Sequence, residues 1–358
     1  MDHLDRLLPI ERSAEVVAPK SDDRDLDVGN LCCSHSPYTL PSGIGPRQVI
    51  NRHNGSVNVR SDPGRIAVIG LGLMGSRMAK RLLERGFVLS GYDPGTAQLE
   101  AFEDLGGLAA GSPAEAVEGC WAALLSLPDY EISRQASLGD RGIALGATGP
   151  LVVYDTSTGR PSDAVNIAEA LVERDITYCD STVSGNSKLA ETGSLVVMMG
   201  GPVDAYRQGR PVFEAIGRSH HHMGPVGSGA RMKLVVNHLL TVHRMALAEA
   251  LVVAELADMD LRGTLEVLKD SLAYSKAMDA WGEPMIAGDH RNPYSRLRQS
   301  HKDARLIVEH GKDLGASVEL VTLVRDALAE GERSGLADLD NSSIIEVIRR
   351  RAGLGRRA

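Results

Sequence analysis

Two side chains with catalytic potential lie four residues apart in a predicted helix. Lys233 and Asn237 share one helix face, which Thr241 continues. Most neighbouring residues are Met, Leu, Val or Ala, so the helix is expected to be buried. A lysine in such surroundings either extends its amine to solvent or is buried because its amine has a function. The choice between these interpretations depends on what lies beside the helix.

Residues 70–75 form a glycine-rich turn between a predicted strand and a predicted helix. They are Gly70, Leu71, Gly72, Leu73, Met74 and Gly75. The spacing is GxGxxG, in which the glycines permit a tight turn, a close approach of backbone to pyrophosphate, and packing of helix on strand. Unpaired N–H groups at the helix start also attract phosphate. The pattern predicts a dinucleotide site.

Asp93 follows the next predicted strand, 87–92, at the spacing where an acid accepts hydrogen bonds from the adenosine ribose. A carboxylate here repels a 2′-phosphate, and no arginine follows within the next several residues. The expected cofactor is therefore NAD. NADP stays possible because Arg77 and Lys80 lie on the adjacent helix.

The lysine-bearing helix begins near residues 227–229, Gly-Ser-Gly, where a second domain would close over a nucleotide cleft. In a partly desolvated cleft the pKa of an amine falls toward neutrality. Lys233 would then take or return an alcohol proton as hydride moves to or from nicotinamide. We therefore favour a catalytic role for Lys233, with Asn237 holding the substrate without adding charge.

A second polar group follows another predicted strand. The run 180–186 reads Asp-Ser-Thr-Val-Ser-Gly-Asn, and it ends in Ser184, Gly185 and Asn186. A strand end that opens in this way offers a hydroxyl and successive backbone N–H groups, which suit a carboxylate. The same pattern also suits an ordinary turn, so a binding role for this loop depends on the other motifs of the chain.

Apolar runs alternate with helix-like segments in the first part of the chain. Strands are expected at 66–70, 87–92, 122–127, 152–155, 177–179 and 195–199. This alternation predicts crossover helices and a twisted, mostly parallel sheet, hence an α/β domain over 65–228. Residues 230–258 lack Gly and Pro, which predicts one helix of roughly 40 Å. Further helical segments predict an all-α domain over 229–355, joined to the first by this long helix.

The composition excludes several classes of protein. With 358 residues, 43% hydrophobic and 24% charged, the chain has the balance of a globular protein of two domains plus a remainder. Residues 1–64, rich in proline and without periodicity, are predicted to be a disordered leader. A net charge of -8 and 4% aromatic residues predict no nucleic-acid partner. No long apolar run predicts a membrane span, and the acidic N-terminus fits no targeting peptide, so a cytoplasmic location is expected.

No metal site is predicted. The contiguous residues His220, His221 and His222 point in different directions and lack Cys or acidic partners at ligand spacing. The four cysteines show neither metal spacing nor a disulfide framework.

Four motifs in this order resemble those of the β-hydroxyacid dehydrogenase family, which includes 3-hydroxyisobutyrate dehydrogenase and tartronate semialdehyde reductase. The turn at 70–75 looks like the family's cofactor signature, and 180–185 with Gly193 looks like its substrate signature. The segment 227–237 looks like its catalytic signature, and Lys302-Asp303 like its Lys-Asp pair. The similarity covers about 65–350.

The resemblance implies a Rossmann-type domain followed by an all-helical domain, and NAD(P)-dependent oxidation of a hydroxyl β to a carboxylate or reduction of the semialdehyde. By it, Lys233 is the general acid and base, and Asn237 orients a small carboxylate-bearing substrate. The resemblance also implies that Ser184 and Gly185 take the carboxylate, that Leu127, Pro128 and Thr158 line the nicotinamide side, and that Lys302 closes over the cofactor.

Departures from the family pattern bear on the substrate. Asn186 stands where a second glycine is usual, which narrows the carboxylate loop, and His238 replaces a common asparagine. Apolar residues are frequent in the family where this chain has Tyr294, Arg296, Arg298 and His301, so its arginines and histidine are expected to accommodate a second acidic or polar group on the substrate.

Three alternatives remain open. The first is a 6-phosphogluconate dehydrogenase, although such enzymes have a longer chain and a fuller Ser-Gly-Gly loop than this sequence. An imine reductase on the same fold usually lacks the lysine. The third is a non-catalytic NAD(P)-binding interaction module, which would tolerate the loss of Lys233. For the favoured dehydrogenase, the large apolar helix surface of the second domain predicts a homodimer or homotetramer.

Overall fold

The computed structural model describes residues 64–355 and, before them, the backbone of two paired antiparallel strands, β1 (Val49–His53) and β2 (Ser56–Arg60). Apart from these strands and Gly64, the predicted leader lies outside the described residues. The prediction for the leader did not include the two strands.

A single sheet dominates the first part of the described chain. Its strands are β3 (Arg65–Ile69), β4 (Val88–Tyr92), β5 (Leu108–Ala109), β6 (Cys120–Leu125), β7 (Leu151–Asp155), β8 (Ile176–Ser184), β9 (Leu195–Gly200) and β10 (Gly217–Gly224). The strand order is β10-β9-β8-β7-β6-β3-β4-β5. Only β8 and β9 pair antiparallel within this sheet. The predicted mostly parallel, Rossmann-type sheet is confirmed.

Helices alternate with these strands. They are α1 (Gly75–Glu84), α2 (Thr96–Asp104), α3 (Pro113–Ala116), α4 (Tyr130–Leu138), α5 (Ile143–Gly146), α6 (Pro161–Val172), α7 (Ser187–Glu191) and α8 (Val203–Ile216). The sheet is buried on both faces, because alternate residues of a strand point to opposite sides. In β3, Ile66 and Val68 enter one apolar core, whereas Ala67 and Ile69 enter the other.

The second part of the chain is helical, as predicted. It contains α9 (Ser228–Leu256), α10 (Leu261–Asp270), α11 (Lys276–Ala287), α12 (Leu297–Asp313), α13 (Glu319–Arg333), a short 3-10 helix (Asn341–Ser343) and α14 (Ile344–Arg351). The 29 residues of α9 span about 43 Å. Ala230 at its start packs in a core of the sheet domain, and Leu251 packs in the core of the helical domain, so α9 joins the two. In the described part of the chain, no helix combines the length and apolar content needed to cross a membrane.

Three sheet regions differ from the prediction, and the first is the two-residue edge strand β5, which was not predicted. The strand expected at 177–179 runs on through Ser184 as β8, and its residues Asp180, Ser181 and Thr182 are completely buried. A search for apolar runs does not detect buried polar residues. The edge strand β10 was also missed, because it pairs only with β9 and its residues are mostly polar and partly exposed.

Candidate active site

The glycine-rich turn joins β3 to α1 and borders a cavity of about 690 Å³. Gly70 has φ +91°, and a Cβ there would lie 2.4 Å from the carbonyl oxygen of Ser126, so only glycine fits. A Cβ on Gly75 would lie 1.9 Å from the carbonyl oxygen of Gly70. A Cβ on Gly72 would instead meet no atom within 4 Å. This leaves space for a phosphate to approach the backbone at Gly72, and no side chain caps the first turn of α1.

The six residues of the turn divide into two groups. Gly70, Gly72, Leu73 and Met74 line the cavity. Leu71 and Gly75 are buried and shape the turn instead. The residues present thus fit a dinucleotide: an open glycine backbone, an uncapped helix start and a cavity beside them.

Asp93 lies at the same cavity, just after β4. Its Oδ2 accepts a hydrogen bond from the N–H of Leu71 at 2.8 Å, and its Oδ1 accepts one from the N–H of Gly95 at 2.9 Å. Its carboxylate is therefore held against the glycine turn. Neither Arg77 nor Lys80 lines the cavity, and Lys80 lies 3.5 Å from Glu191.

Loops that follow β6 and β7 form another part of the cavity wall. Leu127, Pro128 and Thr158 all line the cavity. The N–H of Leu127 donates to the Oγ of Ser157 at 3.0 Å, and the N–H of Ser157 donates to Asp155 at 2.8 Å. Ser157 therefore connects the two loops.

Asp155 anchors this arrangement from inside the sheet domain. It is fully buried, and the hydroxyl of Tyr178 donates to its second carboxylate oxygen at 2.7 Å. Burial raises the pKa of Asp155, while hydrogen bonds from Ser133, Ser157 and Tyr178 oppose that rise. Sequence reasoning did not select Asp155 or Ser157. The available signal was an aspartate that ends an apolar strand.

Lys302 ties the helical domain to both loops of this wall. From α12, its Nζ donates to the carbonyl oxygens of Thr158 at 2.6 Å and Pro128 at 3.0 Å. Lys302 is not itself among the lining residues, but both of its acceptors are. Its closure over the cofactor stays a prediction.

A second cavity of about 590 Å³ adjoins the first. Gly185, Asn186, Lys233 and Asp303 line both cavities. Ser184 and Asn237 line only the second. The structure thus brings the predicted substrate loop and the predicted catalytic helix together at the junction between the two cavities.

Lys233 occupies that junction. It is 9% exposed, and its Nζ donates to the carbonyl oxygen of Val183 at 2.7 Å. Burial lowers the pKa of Lys233; the negative charge of Asp303 opposes this, and the positive charge of Lys302 adds to it. Within residues 64–355, no carboxylate lies within 4 Å of its Nζ. The amine is therefore buried without a direct ion pair.

Asp303 organises the polar side chains around this amine, and sequence reasoning did not select it as a site residue. Its Oδ2 accepts a hydrogen bond from the Nδ2 of Asn237 at 2.9 Å. Its Oδ1 lies 3.3 Å from the Nζ of Lys302. The side-chain oxygen of Asn237 makes no hydrogen bond within the described residues, and Asn237 lines the second cavity.

Asp180 fixes the start of α9 and so the position of Lys233. Its Oδ1 accepts a hydrogen bond from the N–H of Gly227 at 2.8 Å, and its Oδ2 accepts one from the N–H of Ala230 at 2.7 Å. The side chain is completely buried, which raises the pKa of Asp180 to about 6. Although Asp180 belongs to the motif predicted to bind substrate, its carboxylate serves as the helix cap.

The contiguous histidines lie on the edge strand β10. The hydroxyl of Tyr206 lies 2.7 Å from the Nδ1 of His220, and the Nε2 of His222 lies 2.7 Å from the carbonyl oxygen of Gly201. Among the described residues, no group of three or more His, Cys, Asp or Glu side chains is placed to hold a metal ion.

Two family models match successive parts of the chain. One, described as the NAD binding domain of 6-phosphogluconate dehydrogenase, matches residues 65–224. The other, described as NAD-binding of NADP-dependent 3-hydroxyisobutyrate dehydrogenase, matches residues 227–348. Both matches describe NAD(P)-binding domains.

Individual proteins are similar over most of their length. The chain is 30% identical to 2-(hydroxymethyl)glutarate dehydrogenase of Eubacterium barkeri, over 81% of this chain and 96% of that protein. It is 31% identical to 3-hydroxyisobutyrate dehydrogenase of Pseudomonas aeruginosa, over 79% and 98% respectively. The crystal structure of 3-hydroxyisobutyrate dehydrogenase from Salmonella typhimurium superposes with a TM-score of 0.74 at 25% identity, covering 79% of this chain and 99% of that one.

Proposed function

The chain belongs to the 3-hydroxyisobutyrate dehydrogenase family, and on that premise we propose that it oxidises the hydroxyl of a small β-hydroxyacid, or reduces the corresponding semialdehyde, with Lys233 as general acid and base. The coarser function follows from the family: the protein is an NAD(P)-dependent oxidoreductase acting on hydroxyl or aldehyde groups. The identity of the acid and the role of the lysine are the proposal.

The position of Lys233 carries the proposal. It is the one lysine in the described residues that lines both cavities. Bound NAD(P) would accept or supply hydride on one side of it, and the chain's own residues would hold the substrate and move the proton. In oxidation, the neutral amine takes the hydroxyl proton; in reduction, the ammonium returns it. A lowered pKa makes both forms accessible nearer to neutral pH.

Neighbouring groups would bind the substrate and orient it toward Lys233. The hydroxyl of Ser184 and the backbone of Gly185 and Asn186 would bind the substrate carboxylate in the second cavity. Asp303 holds the amide of Asn237, so that the amide oxygen can orient the substrate. The carbonyl oxygen of Val183 accepts a hydrogen bond from the Lys233 amine, which fixes the direction of the other bonds around the lysine nitrogen.

We propose NAD as the preferred cofactor, with NADP accepted less well. The carboxylate of Asp93 borders the nucleotide cavity and would repel a 2′-phosphate. The nearby cations Arg77 and Lys80 do not line the cavity. These two observations support the preference.

A substrate panel tests the proposal. Purified protein is incubated with 3-hydroxyisobutyrate, glycerate, threonate and serine, with NAD and NADP in parallel, and the absorbance of reduced cofactor is followed. We expect turnover of at least one hydroxyacid, faster with NAD. Turnover of cyclic imines with reduced cofactor, and of no hydroxyacid, would indicate an imine reductase. Cofactor binding without any turnover would indicate an interaction module.

We also propose self-association as a homodimer or homotetramer. On α9, Val235, Leu239 and Val253 are 62%, 59% and 65% exposed, and their spacing places them near one helix face. Burying such a stripe against a second copy would remove apolar surface from water. Light scattering after size-exclusion chromatography tests this, and a monomeric mass at micromolar concentration would oppose it. A cytoplasmic location stays a prediction.

A further inference from the structure

We propose that the second cavity binds a second anionic group of the substrate at Arg244, so that the enzyme prefers an acid with an additional carboxylate distant from the reacting carbon. The inference rests on the proposed function and deepens it by naming the substrate class. It is carried by the charges of the cavity wall, by the state of the Arg244 side chain, and by the alignment of Arg244 with Lys233 on α9.

The wall of the second cavity is strongly cationic beyond Lys233. Four further cationic residues line it: Lys188, Arg218, Arg244 and Lys276. Within residues 64–355, none of the four has a carboxylate within 4 Å.

The carboxylates that line the same cavity are already engaged. Asp279 lies 3.1 Å from the Nζ of Lys269 and accepts a hydrogen bond from the hydroxyl of Tyr274 at 2.6 Å. Asp303 holds Asn237 and Lys302. The cavity therefore carries an excess of positive charge that the protein does not neutralise locally.

Arg244 is the buried member of this set, with 3% of its surface exposed. Its guanidinium lies 4.8 Å from the ring centre of Trp281, and one Nη donates to the Oγ of Ser300 at 2.9 Å. A guanidinium carries five N–H donors, so most of its hydrogen-bonding capacity is unused by the protein. Both contacts orient the group while leaving it able to bind an oxyanion.

A buried charge without a counter-ion is costly, and such a charge is normally paired. Burial lowers the pKa of Arg244 to about 10, which the negative charges of Asp340 and Asp303 oppose only from a distance. Asp340 is itself occupied, since it accepts hydrogen bonds from the N–H groups of Ser342 at 2.9 Å and Tyr294 at 3.0 Å. A ligand carboxylate would supply the missing partner.

The helix geometry relates this site to the reacting centre. Lys233, Asn237, Thr241 and Arg244 follow one another at spacings of four, four and three residues, and all four line the second cavity. Eleven residues of helix separate the Cα atoms of Lys233 and Arg244 by about 16 Å. Helical side chains lean toward the N-terminus at both positions, so the two side chains stay offset along the helix. Arg244 contacts Ser300, and Asn237 contacts Asp303 three residues further along α12, so the two ends of the stripe face neighbouring turns of one helix. A substrate that contacts both cationic groups needs several carbon atoms between its reacting carbon and a distal carboxylate.

The cations that the sequence suggested for a second acid have carboxylate neighbours in the structure, which favours Arg244 for this role. Arg296 and Arg298 line the first cavity only, and both lie beside Asp338, at 3.8 Å and 2.7 Å. His301 lies 2.8 Å from Glu332. The role expected of these residues is therefore assigned to Arg244, which the sequence patterns did not single out.

A matched pair of substrates tests the proposal on the wild-type enzyme. 2-(Hydroxymethyl)glutarate carries a distal carboxylate, and 2-(hydroxymethyl)pentanoate has a methyl group in its place. With NAD, we expect kcat/KM to be at least tenfold higher for the glutarate. Equal values, or a preference for the pentanoate, would overturn the proposal whether or not any variant folds.

Two variants test whether the preference for the glutarate depends on Arg244. Arg244→Gln should lower kcat/KM for the glutarate about ten- to a hundredfold and leave that for the pentanoate within threefold, because a hydrogen-bonded charge partner is lost only for the dianion. Arg231→Gln is the matched control: Arg231 is exposed on the same helix and lines neither cavity. It should leave both values unchanged. Equal losses for both acids in Arg244→Gln would assign the residue a structural role.

The two proposals fail separately. If the enzyme oxidises neither acid of the pair and no other small hydroxyacid, the proposed function is wrong. If it oxidises 3-hydroxyisobutyrate and the pentanoate as well as the glutarate, the hydroxyacid activity stands and only the second anion site is refuted.

Discussion

Replacement of Lys233 by methionine separates catalysis from folding. Methionine keeps an unbranched apolar chain of similar length but carries no proton. General acid–base catalysis contributes about 10² to 10⁴ in rate, or about 3–5 kcal/mol on the barrier, and we expect kcat to fall by that factor. We expect no described neighbour to substitute for it: the amine of Lys302 donates to two carbonyls, the amide of Asn237 does not titrate, and Asp303 accepts from Asn237 and lies 3.3 Å from Lys302.

The same substitution should change stability little. It removes one hydrogen bond from a charged group to the carbonyl of Val183, worth about 1.5–3 kcal/mol. It also removes the cost of burying an ammonium group, which acts in the opposite direction and has a similar size. We therefore expect the free energy of unfolding to stay within about 1 kcal/mol of wild type, which is an unusual outcome for a buried position.

The pH dependence has a defined sign. The folded-state pKa of Lys233 lies below its ordinary value of 10.5, so the unfolded chain holds the proton more tightly between those two values. Stability of the wild type relative to Lys233→Met should therefore rise with pH across that window. Activity follows the same ionisation: kcat/KM for oxidation should rise with pH and level off below pH 10.5 in the wild type.

Three measurements on one preparation check these expectations: steady-state rates, urea unfolding, and fluorescence titration with NADH. Lys312→Met, which removes an exposed lysine from α12, is the control and should resemble wild type in all three. Cofactor affinity of Lys233→Met should stay within a few-fold of wild type. The reasoning is refuted if the variant retains more than a tenth of wild-type kcat, or if it loses NADH binding while folded.

Three further perturbations test the groups that support the site. Burial raises the folded pKa of Asp180 from 3.8 to about 6, so stability of the wild type relative to Asp180→Asn should fall by about 3 kcal/mol from about pH 4 to about pH 7. Urea unfolding measures this, and a difference independent of pH would contradict it. Lys302→Met should weaken NADH binding about three- to tenfold, because it releases the loops at Pro128 and Thr158 that line the nucleotide cavity; an unchanged Kd would argue against this coupling. Asp93→Ser should raise the ratio of kcat/KM for NADP to that for NAD at least tenfold, since it removes a carboxylate from the cavity; a constant ratio would show that Asp93 does not discriminate.

The sequence predicted the fold where burial is apolar. Ile66 and Leu124 lie in strands buried on both faces, so hydrophobic runs mark them clearly. The same reasoning predicted a strand shorter than β8, because Asp180 and Thr182 are polar and yet completely buried. Their burial is compensated by partners about 50 residues away, at the start of α9, such as the carbonyl of Gly229 that accepts from Thr182 at 2.9 Å. No local pattern reports a partner so distant.

Candidate site residues were predictable where a motif has a fixed spacing, as in the glycine turn and in the pair Lys233 and Asn237. Asp303 was named only as part of a Lys-Asp pair, and its contact with Asn237 depends on how α12 packs against α9. Arg244 was missed for a related reason. Arginines are common on helices, and only the arrangement of α9 beside α11 and α12 shows that this one is buried without a carboxylate partner.

Three aspartates lie within, at the end of, or just after strands of the sheet, and their surroundings give them different roles. Asp155 and Asp180 face each other in the paired strands β7 and β8, and both are completely buried, with each carboxylate accepting hydrogen bonds from the protein. Asp93 also accepts two hydrogen bonds from backbone N–H groups, yet it borders the nucleotide cavity. Because a carboxylate oxygen accepts more than one hydrogen bond, Asp93 keeps capacity for a ligand that the other two cannot reach. An aspartate after a parallel strand is thus a candidate ligand-binding residue only when a cavity adjoins it.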